Sequence, residues 1–271
     1  MDLLTWSKFN CYTFYEKPHL YYYYDKPVKT SVTQFVSSFF EPFDKDNISK
    51  KYAQKHGLTQ EEVLLDWEKK GNISSISGTI IHGFLENYAR GKVFELDFSL
   101  AKEKGIEDEV RERVDLLLPQ AQKFHDETFN KLIPIQCEYT VGIEDIIAGN
   151  IDLLCWNVRD QEFQIWDYKN LKEFTTKNNW GKKALKEFSN YDDCHLVHYS
   201  IQLNLYKTIL ERKLGIKIGK CYLVHFCHLV QDFEIYPCID LQIECSYALD
   251  RLIKENKYNE RIYGSSKHLY K

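Results

Sequence analysis

Two apolar runs that each carry an acid constrain this chain more than any other feature. Gly149-Asn150-Ile151-Asp152-Leu153-Leu154 and Gln164-Ile165-Trp166-Asp167-Tyr168-Lys169 both read as strands, and the polar Asp160-Gln161 between them reads as a turn. In an antiparallel hairpin of that register, Asp152 and Asp167 approach each other on one face. Alternation along the second strand puts Lys169 on the face of Asp167 and turns Tyr168 away, so that only its carbonyl is available there. Carboxylates, a carbonyl and an ammonium at one place describe a site for a hard divalent cation. Magnesium and manganese take oxygen ligands at about 2.1 Å and usually keep waters, which leaves positions for a phosphate oxygen and a nucleophile. In such a site the metal lowers the pKa of its water, and Lys169 orients that water or offsets charge on the phosphate. A lone Asp-x-Lys is more often a solvated strand cap, so the reading depends on the rest of the chain.

Two flanking helices supply that context. Gly78-Thr79-Ile80-Ile81-His82-Gly83-Phe84-Leu85-Glu86 has apolar residues at helical spacing, and His82 and Glu86, four apart, share one face. His198-Tyr199-Ser200-Ile201-Gln202-Leu203-Asn204-Leu205-Tyr206 is helical too, with Gln202 and Tyr206 four apart. Between them Glu138 opens a further candidate strand. The order G-T-x-x-H-x3-E, then E, G-x-I-D, D-x-K and Q-x3-Y resembles the RecB-like exonuclease branch of the PD-(D/E)xK nuclease superfamily, which includes the mitochondrial genome maintenance exonucleases and phage and bacterial relatives. Ser31-Val32-Thr33 is similar to the S-V-T element that opens many of these domains. The resemblance covers roughly residues 30–230.

It implies an α/β fold: a restriction-endonuclease-like core with a mixed central sheet flanked by helices, plus an N-terminal helical cap. One nuclease domain over 1–271 is expected, with cap or arch elements over 1–75, the core over 76–257 and a tail over 258–271. His82, Asp152, Asp167 and the Tyr168 carbonyl are the implied ligands of Mg2+ or Mn2+, with Lys169, Asp167 and Asp152 catalytic and Glu86, Glu138, Gln202 and Tyr206 in support. The implied activity is metal-dependent hydrolysis of DNA phosphodiester bonds, exonucleolytic on single-stranded DNA or DNA with free ends, in replication, recombination or repair. Replication or recombination proteins are the partners such an activity implies. A flap or structure-specific endonuclease of the same fold stays open, because the metal chemistry is shared and only the cap decides whether an end is required. So does a non-catalytic DNA-binding module.

Charge limits how nucleic acid can be held. With Lys+Arg 36 against Asp+Glu 40 the net charge is −4, which excludes a polycation gripping DNA over its whole surface. A local lining is available in Lys172, Lys177, Lys182, Lys183 and Lys186, interleaved with Phe174 and Trp180, and Ser31 and Thr33 join it as DNA-contact candidates. The eight cysteines contain no C-x-x-C pair, and no iron-sulfur cluster is expected; Cys137, Cys155, Cys221 and Cys227 lie in apolar runs where they pack as small hydrophobes. Met1-Asp2-Leu3-Leu4 does not begin a signal peptide and no apolar run approaches about 18 residues, so a soluble, cytoplasmic chain with no membrane contact is expected.

Periodicity places helices over 31–43, 46–56, 59–70, 77–90, 107–130, 197–214 and 240–256, and strands over 135–143, 147–157, 162–169, 219–228 and 231–237. Thr59-Gln60-Glu61-Glu62 is a capping box, Tyr21 to Tyr24 suits a strand buried on one face, and residues 170–195 read as a mobile linker.

Overall fold

The computed structural model describes residues 6–263 apart from Glu16 and Pro18. Aromatic residues organise its start. Strands β1 (Tyr12–Tyr15), β2 (Leu20–Tyr23) and β3 (Lys26–Pro27) form an antiparallel meander, in which Tyr12 and Tyr21 are buried and Phe14 stacks on Tyr21 at 4.7 Å. A two-residue strand β4 (Thr30–Ser31) leads into helix α1 (Val32–Ser37). Ser31 caps this helix in a reciprocal pair with Gln34, and Val32, Phe35 and Phe39 join Trp6 and Phe9 in the main core. Trp6, Phe9, Val32, Phe35 and Phe39, within the stretch expected as cap, thus belong to the core. Of the helical cap expected over 1–75, only α2 (Lys45–His56) and the outer turns of α3 (Gln60–Ala89) stand apart, tied together where Gln60 donates to Asp46 and Ser49.

Helix α3 runs unbroken for 30 residues, where the sequence suggested two helices. The stretch 71–76 left between them opens with Gly71, which faces open space. Its penalty is about 1 kcal/mol of helix propensity, small beside the burial of Ile73, Ile76, Ile80, Ile81 and Leu85 that follows it. A short helix α4 (Ser99–Glu103) and the long α5 (Glu107–Thr128) return the chain to the sheet.

Five more strands complete that sheet: β5 (Leu132–Ile143), β6 (Ile147–Asn157), β7 (Glu162–Asn170), β8 (Ile218–Phe226) and β9 (Glu234–Pro237). With β4 they make six strands of mixed direction, β7 and β8 being parallel and joined by helix α6 (His195–Leu214), which stops at a left-handed Gly215. Helix α7 (Gln242–Tyr263) ends the described chain. Strict alternation sorts the strands onto two layers. Leu153, Cys155, Trp166, Tyr168, Val224 and Phe226 face α3 and α5, whereas Leu154, Ile165 and Leu223 face α1, α6 and α7. The α/β class and the mixed, helix-flanked sheet expected from the sequence are thus present. Among the described residues no helix is long and apolar enough to cross a membrane.

Residues 170–195 are not the mobile linker the sequence suggested. Ala184 and Phe188 are buried, Leu185 N donates to Phe39 O at 2.7 Å, and Asn178 accepts from Trp180 N and Lys182 N. Apolar residues inside a polar stretch anchor it as a packed loop.

The sheet has a break between two of its central strands. One edge of β6 is shared: β4 pairs with Ile147 and Ala148, and β7 pairs from Leu153 to Asn157. Between these, Gly149 to Asp152 has no strand beside it on that edge, so β6 and β7 part like a fork. Gly149 is required there because Tyr206 fills the space. A methyl group at 149 would lie 2.8 Å from Tyr206 Cε1 and Oη and 3.0 Å from Val32 Cβ. Gly149→Ala is expected to lower stability by about 1–3 kcal/mol through overpacking, read as a lower urea midpoint. An unchanged midpoint would mean that the ring moves aside freely.

Candidate metal centre

The site forms where the fork opens. Leu153 and Trp166 are the last partners of the β6–β7 ladder, so Asp152 and Asp167 stand opposite each other at the next, unpaired position. Tyr168 N, which has lost its strand partner on that side, donates to Asp152 Oδ2 at 2.8 Å. The carbonyl of a strand residue points to the same edge as its N–H, and Tyr168 O duly lies 3.1 Å from His82 Nε2. His82 arrives from α3, its Nδ1 3.5 Å from Asp152 Oδ2.

Glu138 comes from the other neighbour, β5. It sits between the pairs Cys137–Leu153 and Tyr139–Ile151, opposite Asp152, with φ of +48°. A left-handed backbone costs a non-glycine residue about 1–2 kcal/mol, and such strain persists where surroundings impose it. Here Asn150 Nδ2 donates to Glu138 Oε2 at 2.7 Å, and Asn150 Oδ1 accepts from Thr140 at 2.7 Å. His82, Glu138 and Asp152 then offer ligand atoms that all lie within 4.8 Å of one another. Glu138 is expected only in support; the structure puts it beside His82 and Asp152, and leaves Asp167 more closely engaged with Lys169.

Charge is unbalanced at this place. Asp167 is 2% exposed and its Oδ2 lies 2.5 Å from Lys169 Nζ. Burial pushes its carboxyl up to about 6, against the pull of Lys169 and with a further push from Asp152. Burial, then Asp152 and Glu86, lifts Glu138 to about 8. Lys169 goes the other way: burial alone would favour the free amine, but Asp167 and Asp152 outweigh it and hold the ammonium well above its ordinary value. Its Nζ lies 4.5 Å from the centre of the Tyr199 ring, within cation–π range. Two raised carboxyls at one opening mark a place short of positive charge. The donor set, one imidazole with carboxylates and a carbonyl, fits a divalent cation such as Mg2+ or Mn2+. His82, Glu138 and Asp152 would hold it, with Asp167 and the Tyr168 carbonyl adjoining.

The other expected residues divide. Glu86 is on the His82 face but pairs with Arg90 at 2.6 Å, and Arg90 in turn donates to Cys137 O at 3.0 Å. Gln202 donates to Tyr206 Oη at 3.3 Å, and Tyr206 is buried against Gly149, so the pair braces the fork from within and Tyr206 is not free to touch DNA. The Ser31 hydroxyl is committed to capping α1, while Thr33 is exposed. Lys172, Lys177, Lys182 and Lys183 are exposed, Lys183 paired with Asp192 at 2.7 Å, and Trp180 is 89% exposed. Cys137, Cys155, Cys221 and Cys227 are buried as free thiols. Residues beyond the expected set are Asn150, Thr140, Arg90 and Tyr199. Asn150 lies two positions before Asp152, so strand alternation alone gives it the same face. No family model matches the chain, and no curated protein matches it.

The raised Glu138 carboxyl has a consequence for stability in metal-free buffer. Its folded value of about 8 lies above the ordinary 4.5, so the folded state keeps a proton that the unfolded chain has released. Stability is then fully present below about pH 4.5 and lost as pH rises through about 8. Urea titrations in EDTA between pH 5 and 9 should show this fall in the wild type and a flatter profile in Glu138→Gln. Identical slopes would contradict the assignment.

Proposed function

We propose that this protein is a divalent-metal-dependent nuclease with a restriction-endonuclease-like core, acting as an exonuclease on single-stranded DNA or DNA with free ends. The observation that carries the reading is the fork itself, which sets the buried Asp167–Lys169 pair beside His82, Glu138 and Asp152. The order of those residues along the chain is the order that resembles the RecB-like nucleases. A bound Mg2+ or Mn2+ supplies Lewis acidity toward a phosphate oxygen and a water of lowered pKa. The chain's own part is to hold and orient. His82, Glu138 and Asp152 gather the ion's ligands on three elements, and Asp152 keeps the Tyr168 backbone in place through its N–H. Lys169, kept protonated by Asp167 and covered by Tyr199, offsets the negative charge that grows on the phosphate as water adds to phosphorus and the bond to the leaving sugar oxygen breaks.

Strand binding falls to the packed loop after β7. Its exposed lysines and Trp180 suit backbone phosphates and unstacked bases without reading sequence. Replication, recombination and repair are the settings for such an activity, with DNA as the partner.

End-labelled oligonucleotides test this. With Mg2+ or Mn2+ a linear single strand should shorten progressively, while a covalently closed circle survives. Asp152→Asn, Asp167→Asn and His82→Ala should each lose on the order of 10³-fold in rate, and Lys169→Ala should lose cleavage while keeping DNA affinity. Near-wild-type cleavage by either carboxylate variant would overturn the site. Rapid cutting of the circle would make the enzyme an endonuclease.

A further inference from the structure

Cations gather just past the ends of β7 and β8. Asn170 and Phe226 are the last partners of these parallel strands, and two residues further on stand Lys172 and His228. Arg113 reaches the same place from α5, its Nη2 3.4 Å from His228 Nε2. The turn carrying His228 is rigidly held. Gln120, buried two helical turns beyond Arg113, donates to Cys227 O at 2.8 Å and Val230 O at 2.9 Å and accepts from Cys227 N at 3.3 Å. Cys227 Sγ donates to Lys172 O at 3.3 Å, which ties the third segment to the same frame.

These groups lack an anion. Among the described residues no carboxylate forms an ion pair with Arg113, Lys172 or His228, and Glu109, one turn before Arg113 on α5, is engaged with Lys69 at 2.5 Å. His228 Nδ1 is buried with no hydrogen-bond partner. Burial, then Arg113 and Lys172, pushes the His228 imidazole below its ordinary value, and burial pushes Arg113 down as well. Half-buried basic groups normally sit beside counter-charge. A guanidinium fork next to an ammonium and an imidazole matches the oxygens of a phosphate.

We propose that Arg113, Lys172 and His228 form a second subsite, which takes a phosphate group of the nucleic-acid strand. This rests on the nuclease reading of the fork. Lys172 follows Lys169 by three residues, a distance an extended chain covers in about 10 Å at most, so one strand can engage both places. The subsite would hold the strand beside the fork without touching the reacting phosphate.

Two measurements on the full chain in EDTA, where no cleavage occurs, test it. Fluorescence anisotropy follows a labelled single-stranded oligonucleotide across a salt series, and the His228 ring signals in ¹H–¹⁵N spectra are followed during titration with inorganic phosphate. Arg113→Gln and Lys172→Gln should each weaken oligonucleotide binding about tenfold and reduce the log–log salt slope by about 0.7. Phosphate should move the His228 signals in the wild type and not in Arg113→Gln. Wild-type affinity and slope in both variants, with His228 unmoved by phosphate, would overturn the subsite and leave the fork untouched. A wild type that binds no oligonucleotide while phosphate still moves His228 would instead contradict the strand as its ligand, and the nuclease reading with it. Lys172 is exposed, so its variant keeps the test valid even if Arg113→Gln fails to fold.

Discussion

The hydrogen bond from Tyr168 N to Asp152 Oδ2 stands where a strand ladder ends. Beyond Leu153 and Trp166 the two central strands separate, and a β7 edge left without a partner would expose buried backbone groups at a cost comparable to a lost hydrogen bond. A side-chain carboxylate takes the place of the missing strand. That substitution fixes the Tyr168 carbonyl toward His82, and alternation then fixes Asp167 and Lys169 on the other side of the same backbone. At the opposite end of the gap Tyr206 packs against Gly149. The opening in the sheet, and not a loop laid over it, is what makes the site.

Charge follows from that geometry. Bringing Asp152, Asp167, Glu138 and Glu86 to one opening leaves Lys169 and Arg90 as the compensating cations, and both are bound to one acid at short range. The cost shows as raised carboxyls at Glu138 and Asp167 and as a left-handed backbone at Glu138. A protein that was only stabilising its fold gains nothing from such an arrangement, since apolar residues of similar size would relieve it. A site that takes up a divalent cation does gain, because the ion supplies the missing charge, at the expense of stability without it.

Much of this was legible in the chain. Alternation gave β5 to β8 within a few residues, and the hairpin register alone put Asp152 opposite Asp167. Helical spacing placed His82 on a face that could reach them. What escaped has physical reasons. The stretch 71–76 fell between two expected helices because helical periodicity is a local signal, whereas the burial that carries α3 through it is tertiary. The loop over 170–195 looked mobile because its composition is polar, yet Phe188 and Ala184 anchor it. Glu138 reached the fork through a positive φ that a non-glycine residue does not announce. Ser31 spent its hydroxyl on a helix cap, a use its S-V-T context did not distinguish from strand contact.

The cation proposed for the fork would lie between His82, Glu138 and Asp152, next to Asp167. Anomalous diffraction from crystals grown with Mn2+ tests this. A manganese peak is expected at the fork, flanked by those side chains and lost in crystals of Asp152→Asn. Full data at the manganese edge with no peak there, or with the only peak at another place on the protein, would contradict it.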